Sequence, residues 1–210
     1  MKLLVTLKNI YGSNESKLKI LVTGGAGLIG SNVVKGFSSL GHDVYVADNL
    51  WRGKLENLYK NGHPVIDLDS HFHQVDLQNY GNCIAVSKNV DVVIHLADIV
   101  AGINFVFANE LFLYRANVVM NSNMLDAAIS NKVKKYLYVG TACSYPEKMQ
   151  SELNPPPFKE EDAYPASPES AYGWSKLMGE YECELAQKEG KIEAGILRLH
   201  NVYGPPCEMS

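Results

Sequence analysis

The segment Ser170-Ala171-Tyr172-Gly173-Trp174-Ser175-Lys176 sets a tyrosine and a lysine four residues apart. On a helix that spacing puts both side chains on one face, one turn from each other. A nearby ammonium favours phenolate, so Lys176 is expected to pull the Tyr172 pKa from about 10 toward neutrality. A phenol tuned in this way serves as a general base for a sugar or alcohol hydroxyl. Tyr-x-x-x-Lys alone is common in helices, and its weight here comes from two companions. One is a glycine-rich turn near the N-terminus; the other is Gly140-Thr141-Ala142-Cys143-Ser144-Tyr145-Pro146, between the turn and the pair. Thr141 offers a hydroxyl able to bond a substrate oxygen beside Tyr172. From spacing alone Cys143 reads in two ways. It is a small buried hydrophobe, the commoner fate of a free cysteine, or a proton donor and acceptor whose pKa falls near cationic groups.

The glycine turn is Thr23-Gly24-Gly25-Ala26-Gly27-Leu28-Ile29-Gly30, which follows the apolar run Ile20-Leu21-Val22-Thr23 and opens a helix. It satisfies both Gly24-x-x-Gly27-x-x-Gly30 and Gly25-x-Gly27-x-x-Gly30. Such glycines allow a tight turn, close backbone approach to a pyrophosphate, and helix-to-strand packing. The helix N-terminus adds unpaired N–H donors and a positive dipole end. Gly24, Gly27, Leu28, Ile29 and Gly30 are therefore candidate dinucleotide contacts. Asp48 closes a second strand, 18 residues past Gly30, with Asn49 beside it. A carboxylate there accepts hydrogen bonds from the adenosine ribose and repels a 2′-phosphate, which favours NAD over NADP. Nearby Arg52 pulls the other way, and a strand-end Asp also caps turns. Asp76 and Leu77, after a third strand, are candidates for the adenine edge. His95-Leu96-Ala97-Asp98 ends a fourth strand at the carboxyl edge, where open α/β sheets bind ligands. Leu96, Ala97 and Asp98 join the cofactor candidates, and His95 reads as a packed strand residue.

The elements that position these groups alternate. Strand signals fall at Ile20–Thr23, Val44–Asp48, Phe72–Val75, Val90–Leu96, Lys135–Gly140 and Ala194–Leu199, with helices over Leu28–Leu40, Leu113–Asn131 and the Tyr/Lys segment. That alternation predicts an α/β fold, a Rossmann-like doubly wound parallel sheet. Residues 1–17 read as an appendage and residues 18–210 as one domain, with Asn154-Pro155-Pro156-Pro157 a stiff connector inside it. The 210 residues are 46% hydrophobic and 20% charged with net charge −4, an ordinary globular balance with no basic footprint for nucleic acid. No apolar run reaches membrane-spanning length. Cys83, Cys143, Cys183 and Cys207 show neither metal spacing nor disulfide density, which fits a reducing cytoplasm. His63, His71 and His73 lack further ligands, so no metal site is expected.

Taken in order, the glycine turn, His-Leu-Ala, Thr-Ala-Cys, Tyr-x-x-x-Lys and Asn201-Val202-Tyr203-Gly204-Pro205 resemble the extended short-chain dehydrogenase/reductases, which include nucleotide-sugar epimerases and dehydratases. The likeness runs from about Lys19 to Pro206. It implies NAD as cofactor and transient oxidation of a nucleotide sugar at C4 to a 4-keto sugar. Tyr172 would be the base, Lys176 would hold the nicotinamide ribose, and Thr141 would complete the triad. Asn117 would match an asparagine of the long helix near the cofactor, with Asn201 and Val202 near nicotinamide and sugar. Within the family the resemblance is strongest to the branch that epimerises GDP-sugars at C3 and C5. There a cysteine at the place of Cys143 is an acid/base, and Gly102 would match a glycine that contacts substrate. A 4-epimerase, a dehydratase, a reductase of the GDP-fucose synthase kind (NADP-using, which Asp48 disfavours) and a non-catalytic NAD-binding module remain alternatives. The family implies a homodimer that pairs long helices. Its members run well past 300 residues, so the C-terminal substrate domain is expected to be largely absent here, and the branch's opposing lysine has no counterpart. Asp98 also departs from the family's more usual His-Leu-Ala-Ala.

Overall fold

The computed structural model describes residues 17–151 and 156–206. Short apolar runs form strands, each followed by a helix or loop that returns the chain to the same edge. β1 (Lys19–Thr23) leads to α1 (Leu28–Ser39) and β2 (Asp43–Asp48). A 3₁₀ turn at Leu55–Leu58 and a small hairpin, β3 (Tyr59–Lys60) with β4 (His63–Pro64), precede α2 (Leu68–His71) and β5 (Phe72–Gln74). α3 (Tyr80–Val86), β6 (Val92–His95), α4 (Ile103–Ala108) and the long α5 (Glu110–Ser130) follow. β7 (Lys135–Thr141), α6 (Glu147–Gln150), α7 (Ala171–Lys188) and β8 (Glu193–Leu199) complete the chain.

Six strands form one sheet in the order β5-β2-β1-β6-β7-β8, and every pairing is parallel. The chain winds outward from β1 in one direction and from β6 in the other. The order therefore reverses between these two neighbours, and a crevice opens above their carboxyl ends. This is the doubly wound sheet that the alternation predicts. All six expected strands are present. The fourth is shorter than expected at both ends, Val92–His95; just past it the Leu96 amide donates to Thr23 O at 3.2 Å and to the Thr23 hydroxyl at 3.1 Å, and the Ala97 amide to the same hydroxyl at 3.1 Å. The β3–β4 hairpin was not foreseen; two-residue strands are too short to show a period. Residues 1–16, which make up nearly all of the expected appendage, lie outside the described residues, as do part of the proline connector and Cys207.

The central strands are apolar on both faces, as parallel strands covered by helices must be. One core layer gathers Leu21, Val93, Met124, Tyr136 and Cys183 under α3, α5 and α7; the other gathers Ile20, Val22, Val34, Val46 and Ile94 under α1. Helix α7 starts where Ser170 caps it, its hydroxyl accepting from the Gly173 amide at 3.2 Å. Further along α7, Glu180 is fully buried and reaches β8: its Oε2 accepts from Arg198 Nε at 2.7 Å, and its Oε1 from the Ser144 hydroxyl at 3.0 Å. Burial pushes this carboxyl up, and the Arg198 and Ser144 hydrogen bonds draw it back.

Arg198→Met should strand that carboxylate. A buried charge losing its partner costs about 3–5 kcal/mol. Urea unfolding should show a loss of that size near neutral pH and a smaller loss in acid. The sign follows from linkage: a carboxyl whose folded pKa is raised costs stability as pH climbs from its ordinary value through the raised one. An equal loss at both pH values would contradict the arrangement.

Candidate active site

The crevice is a cleft of about 1260 Å³. Its floor is the glycine turn. Gly24 N donates to Ala47 O at 2.8 Å and Gly27 N to Gly24 O at 3.1 Å, which folds the turn back against β2. A Cβ on Gly30 would run into the Gly24 carbonyl oxygen, so only glycine lets α1 begin this close to the turn. No side chain caps α1 at Gly27, which leaves its first N–H groups pointing into the cleft. Gly24, Gly27, Leu28, Ile29 and Gly30 all line it.

Asp48 lies in the cleft wall beside Asn49, and it also holds the turn. Its Oδ2 accepts from Ala26 N at 2.9 Å and its Oδ1 from Leu50 N at 2.8 Å. Burial raises its pKa, and these two backbone donors oppose the rise. The turn-capping reading of Asp48 is thus seen directly, and the same carboxylate lines the cleft. Arg52 points away from it: Nη1 donates to Val100 O at 2.8 Å, across to the segment after β6. Trp51 leans on Phe105, ring centres 5.8 Å apart. This strap from the loop after β2 had no sequence signal beyond the presence of Arg52. Asp76, Leu77, Leu96, Ala97 and Asp98 line the cleft, as do Asn201 and Val202. The last two are tethered through Asn32 Nδ2, which donates to Pro205 O at 2.8 Å.

Behind the wall runs a buried polar chain. Asn121 Nδ2 donates to the Tyr138 hydroxyl at 3.0 Å, so its Oδ1 is left to accept from His95 Nε2 at 3.0 Å. His95 Nδ1 then accepts from the Thr23 hydroxyl at 2.8 Å, and the Tyr138 hydroxyl donates to Lys176 O at 3.3 Å. Full burial, and next the charge of Lys176, push the His95 pKa down to about 3, so the ring is neutral and structural. The Asn117 amide is spent in the same way. Oδ1 accepts from Ile99 N at 2.8 Å and Nδ2 donates to Ile99 O at 3.1 Å, behind the cleft wall. It clamps the segment that carries Asp98.

Tyr172, Lys176 and Thr141 meet in the cleft. Lys176 is almost wholly buried; its Nζ donates to Val139 O at 2.9 Å and pairs with Asp98 Oδ2 at 3.1 Å. The expected electrostatics are reversed. Tyr172 sits well above the ordinary tyrosine pKa, first through loss of water and then through the charge of Asp98. The Lys176 charge that was to favour phenolate is matched by a carboxylate. Thr141 accepts from Cys143 N at 3.2 Å and holds the 3₁₀ turn Ala142–Ser144. Cys143 is half-buried beside Tyr172 but outside the cleft wall; Gly102, the exposed residue that starts α4, is also outside it.

Residues 20–209 match the NAD dependent epimerase/dehydratase family. The chain belongs to that family. It is 40% identical over 192 residues to GDP-mannose 3,5-epimerase 1 of Oryza sativa subsp. indica, covering 91% of this chain and 48% of that one. Identity to the GDP-mannose 3,5-epimerase of Arabidopsis thaliana is 38% over 196 residues, covering 93% and 49%. Among solved structures, Thermus thermophilus UDP-glucose 4-epimerase in complex with NAD superposes with a TM-score of 0.74 at 28% identity, over 91% of this chain and 58% of that one. The chain thus spans about half the length of the curated relatives it matches. The cleft fits the family's dinucleotide. It offers an uncapped helix N-terminus, a glycine approach that a Cβ would fill, and a carboxylate in the wall beside β2.

Gly30→Ala forces the turn and helix apart at the pyrophosphate position. Calorimetry should show at least about a tenfold loss of NAD affinity, equivalent to roughly 1.4 kcal/mol. Unchanged affinity would place the dinucleotide elsewhere.

Proposed function

We propose that the chain acts as an NAD-dependent nucleotide-sugar epimerase on a GDP-hexose, exchanging protons at C3 and C5. The observation that carries this reading is the convergence of Tyr172, Lys176 and Thr141 on the cleft floored by the glycine turn. The name and 40% identity of the Oryza relative support the GDP-sugar and the 3,5 positions.

In this reading Thr141 and Tyr172 bond the C4 hydroxyl, and Tyr172 takes its proton when in the phenolate form. When bound, NAD supplies a hydride acceptor and a positive ring beside the phenol. Lys176 and Asp98 meet the nicotinamide ribose, with the α1 N-terminus on the pyrophosphate and Asp48 on the adenosine ribose. Asp76 and Leu77 flank the adenine. Cys143 carries a proton to and from the carbons that a C4 ketone acidifies, and Asn201 and Gly102 contact the sugar. The apolar groups exposed on α5 and α7, Leu111, Phe112, Tyr181 and Leu185, suit a homodimer that pairs these helices. Free thiols at Cys83, Cys143 and Cys183 suit a reducing, cytoplasmic setting. Among the described residues no helix is long and apolar enough to cross a membrane.

A second reading is favoured by one observation: Cys143 stands outside the cleft wall, whereas Tyr172 and Thr141 are in it. A 4-epimerase needs only the latter pair.

Incubation with GDP-mannose and NAD in heavy water separates the readings. Cys143→Ser should abolish deuterium uptake at C3 and C5 while C4 oxidation persists, and Tyr172→Phe should abolish both. Unchanged exchange in Cys143→Ser would remove Cys143 as the proton carrier, whereas wild-type protein that oxidises C4 with no deuterium uptake at C3 or C5 would exclude the 3,5 reading and leave the 4-epimerase. Calorimetry showing NAD binding without any sugar-nucleotide binding would reduce the chain to a cofactor-binding module.

A further inference from the structure

Asp98 is the buried ionisable group that the proposed chemistry leaves without an acid–base task. Its side chain is 8% exposed and that of Lys176 4%. Oδ2 holds the Lys176 ammonium at 3.1 Å, whereas Oδ1 is buried with no hydrogen-bond partner. Asn117 clamps the adjoining Ile99 on both sides, so the carboxylate has little freedom to swing away. The titratable groups packed around this pair are neutral or have partners of their own. From β6 comes His95, held neutral by burial. From β7 comes Tyr138, whose ring lies 5.3 Å from the ammonium and whose hydroxyl is bonded to Asn121. After β7 stands Cys143, beside Tyr172. On α7, Glu180 and Glu182 act on Tyr138 from a distance, but Glu180 has its own cation in Arg198 and Glu182 accepts from the Ser122 hydroxyl at 2.7 Å.

From this geometry we infer that Asp98 is a positioning residue: it neutralises Lys176 in the free protein, so that Tyr172 stands there as an acid and not yet as a base. A tyrosine-lysine pair without such a carboxylate has one uncompensated positive charge beside the phenol. Here the charges cancel, and the phenol has lost water without gaining a cation. The ligand class that undoes this is one bearing vicinal hydroxyls, such as a ribose. A hydroxyl that donates to Oδ1 fills the orphan acceptor and weakens the hold of Asp98 on Lys176. The inference rests on reading Tyr172 as the base, yet its test needs no substrate.

The test is a titration of the protein labelled at the tyrosine phenol carbon, followed by NMR from about pH 6 to about pH 11. The Tyr172 resonance is assigned as the one missing from Tyr172→Phe. In the wild type it should stay in the phenol form up to about pH 10. In Asp98→Asn, which keeps the shape and removes the charge, the midpoint should fall by about one to three pH units. Asp98→Ala should fall likewise. Adding NAD to the wild type should move the midpoint in the same direction. A wild-type midpoint near neutrality overturns the inference whether or not the variants fold. Equal midpoints in wild type and Asp98→Asn overturn it as well, since a merely structural Asp98 would leave the titration in place. Either result leaves the isotope-exchange test of Tyr172 untouched, so the two readings fail separately.

Discussion

A lysine ammonium buried between a strand carbonyl and a carboxylate sets the terms for the rest of the molecule. Removing a charge from water costs several kcal/mol, and only close, well-directed partners return that cost. Lys176 has two: Val139 O on β7 and Asp98 just past β6. Both are delivered by the sheet. β6 and β7 pair in parallel with His95 opposite Tyr138, so the ends of the two strands arrive side by side under α7. A slip of one residue would turn each side chain to the other face and leave the ammonium with neither partner. The register of β6 against β7 and the placement of the Tyr172–Lys176 pair are therefore a single constraint.

The polar chain from Thr23 to Lys176 O reinforces that constraint. Thr23 ends β1, His95 ends β6, Asn121 lies on α5, Tyr138 on β7 and Lys176 on α7. Each hydroxyl or amide gives and receives in one consistent direction, so no buried donor faces a donor. Apolar side chains could fill the same space, but they would tolerate sliding between elements. Directional bonds do not, and they tie the cofactor side of the cleft to the side that carries Tyr172. Thr23 serves both ends, since its oxygen also collects the Leu96 and Ala97 amides and so aims Asp98 at α7.

Features governed by local chemistry were legible in the sequence. The glycine turn and the six strands depend on backbone space and nearby periodicity, which neighbouring residues reveal. The turn motif also located Asp48, because the distance from turn to second strand is set by one helix. What stayed hidden depends on partners distant in sequence. Asn117 on a long helix looks the same whether it faces a ligand or clamps the Ile99 backbone. Asp98 looked like a small variation on His-Leu-Ala-Ala, and nothing near it in sequence announces Lys176. The direction of the Tyr172 shift was hidden for a related reason: it is set first by burial and then by Asp98, and a helix spacing reports neither.

The same distinction bears on Cys143. Its side chain lies beside Tyr172 without entering the cleft wall, yet its backbone is held on two sides. Thr141 Oγ1 takes its amide, and α7 packs so tightly on its carbonyl oxygen that a Cβ on Gly173 would collide with it. Gly173 is the neighbour of Tyr172, so the phenol and the thiol are spaced by a backbone contact and not by flexible side chains. A sulfur on so rigid a mount reaches a different atom only by rotating about its own Cα–Cβ bond. One short rotation is a small motion for a proton carrier, and a fixed pivot makes its end point reproducible. In the proposed role, that fixed spacing between phenol and thiol is what proton transfer requires.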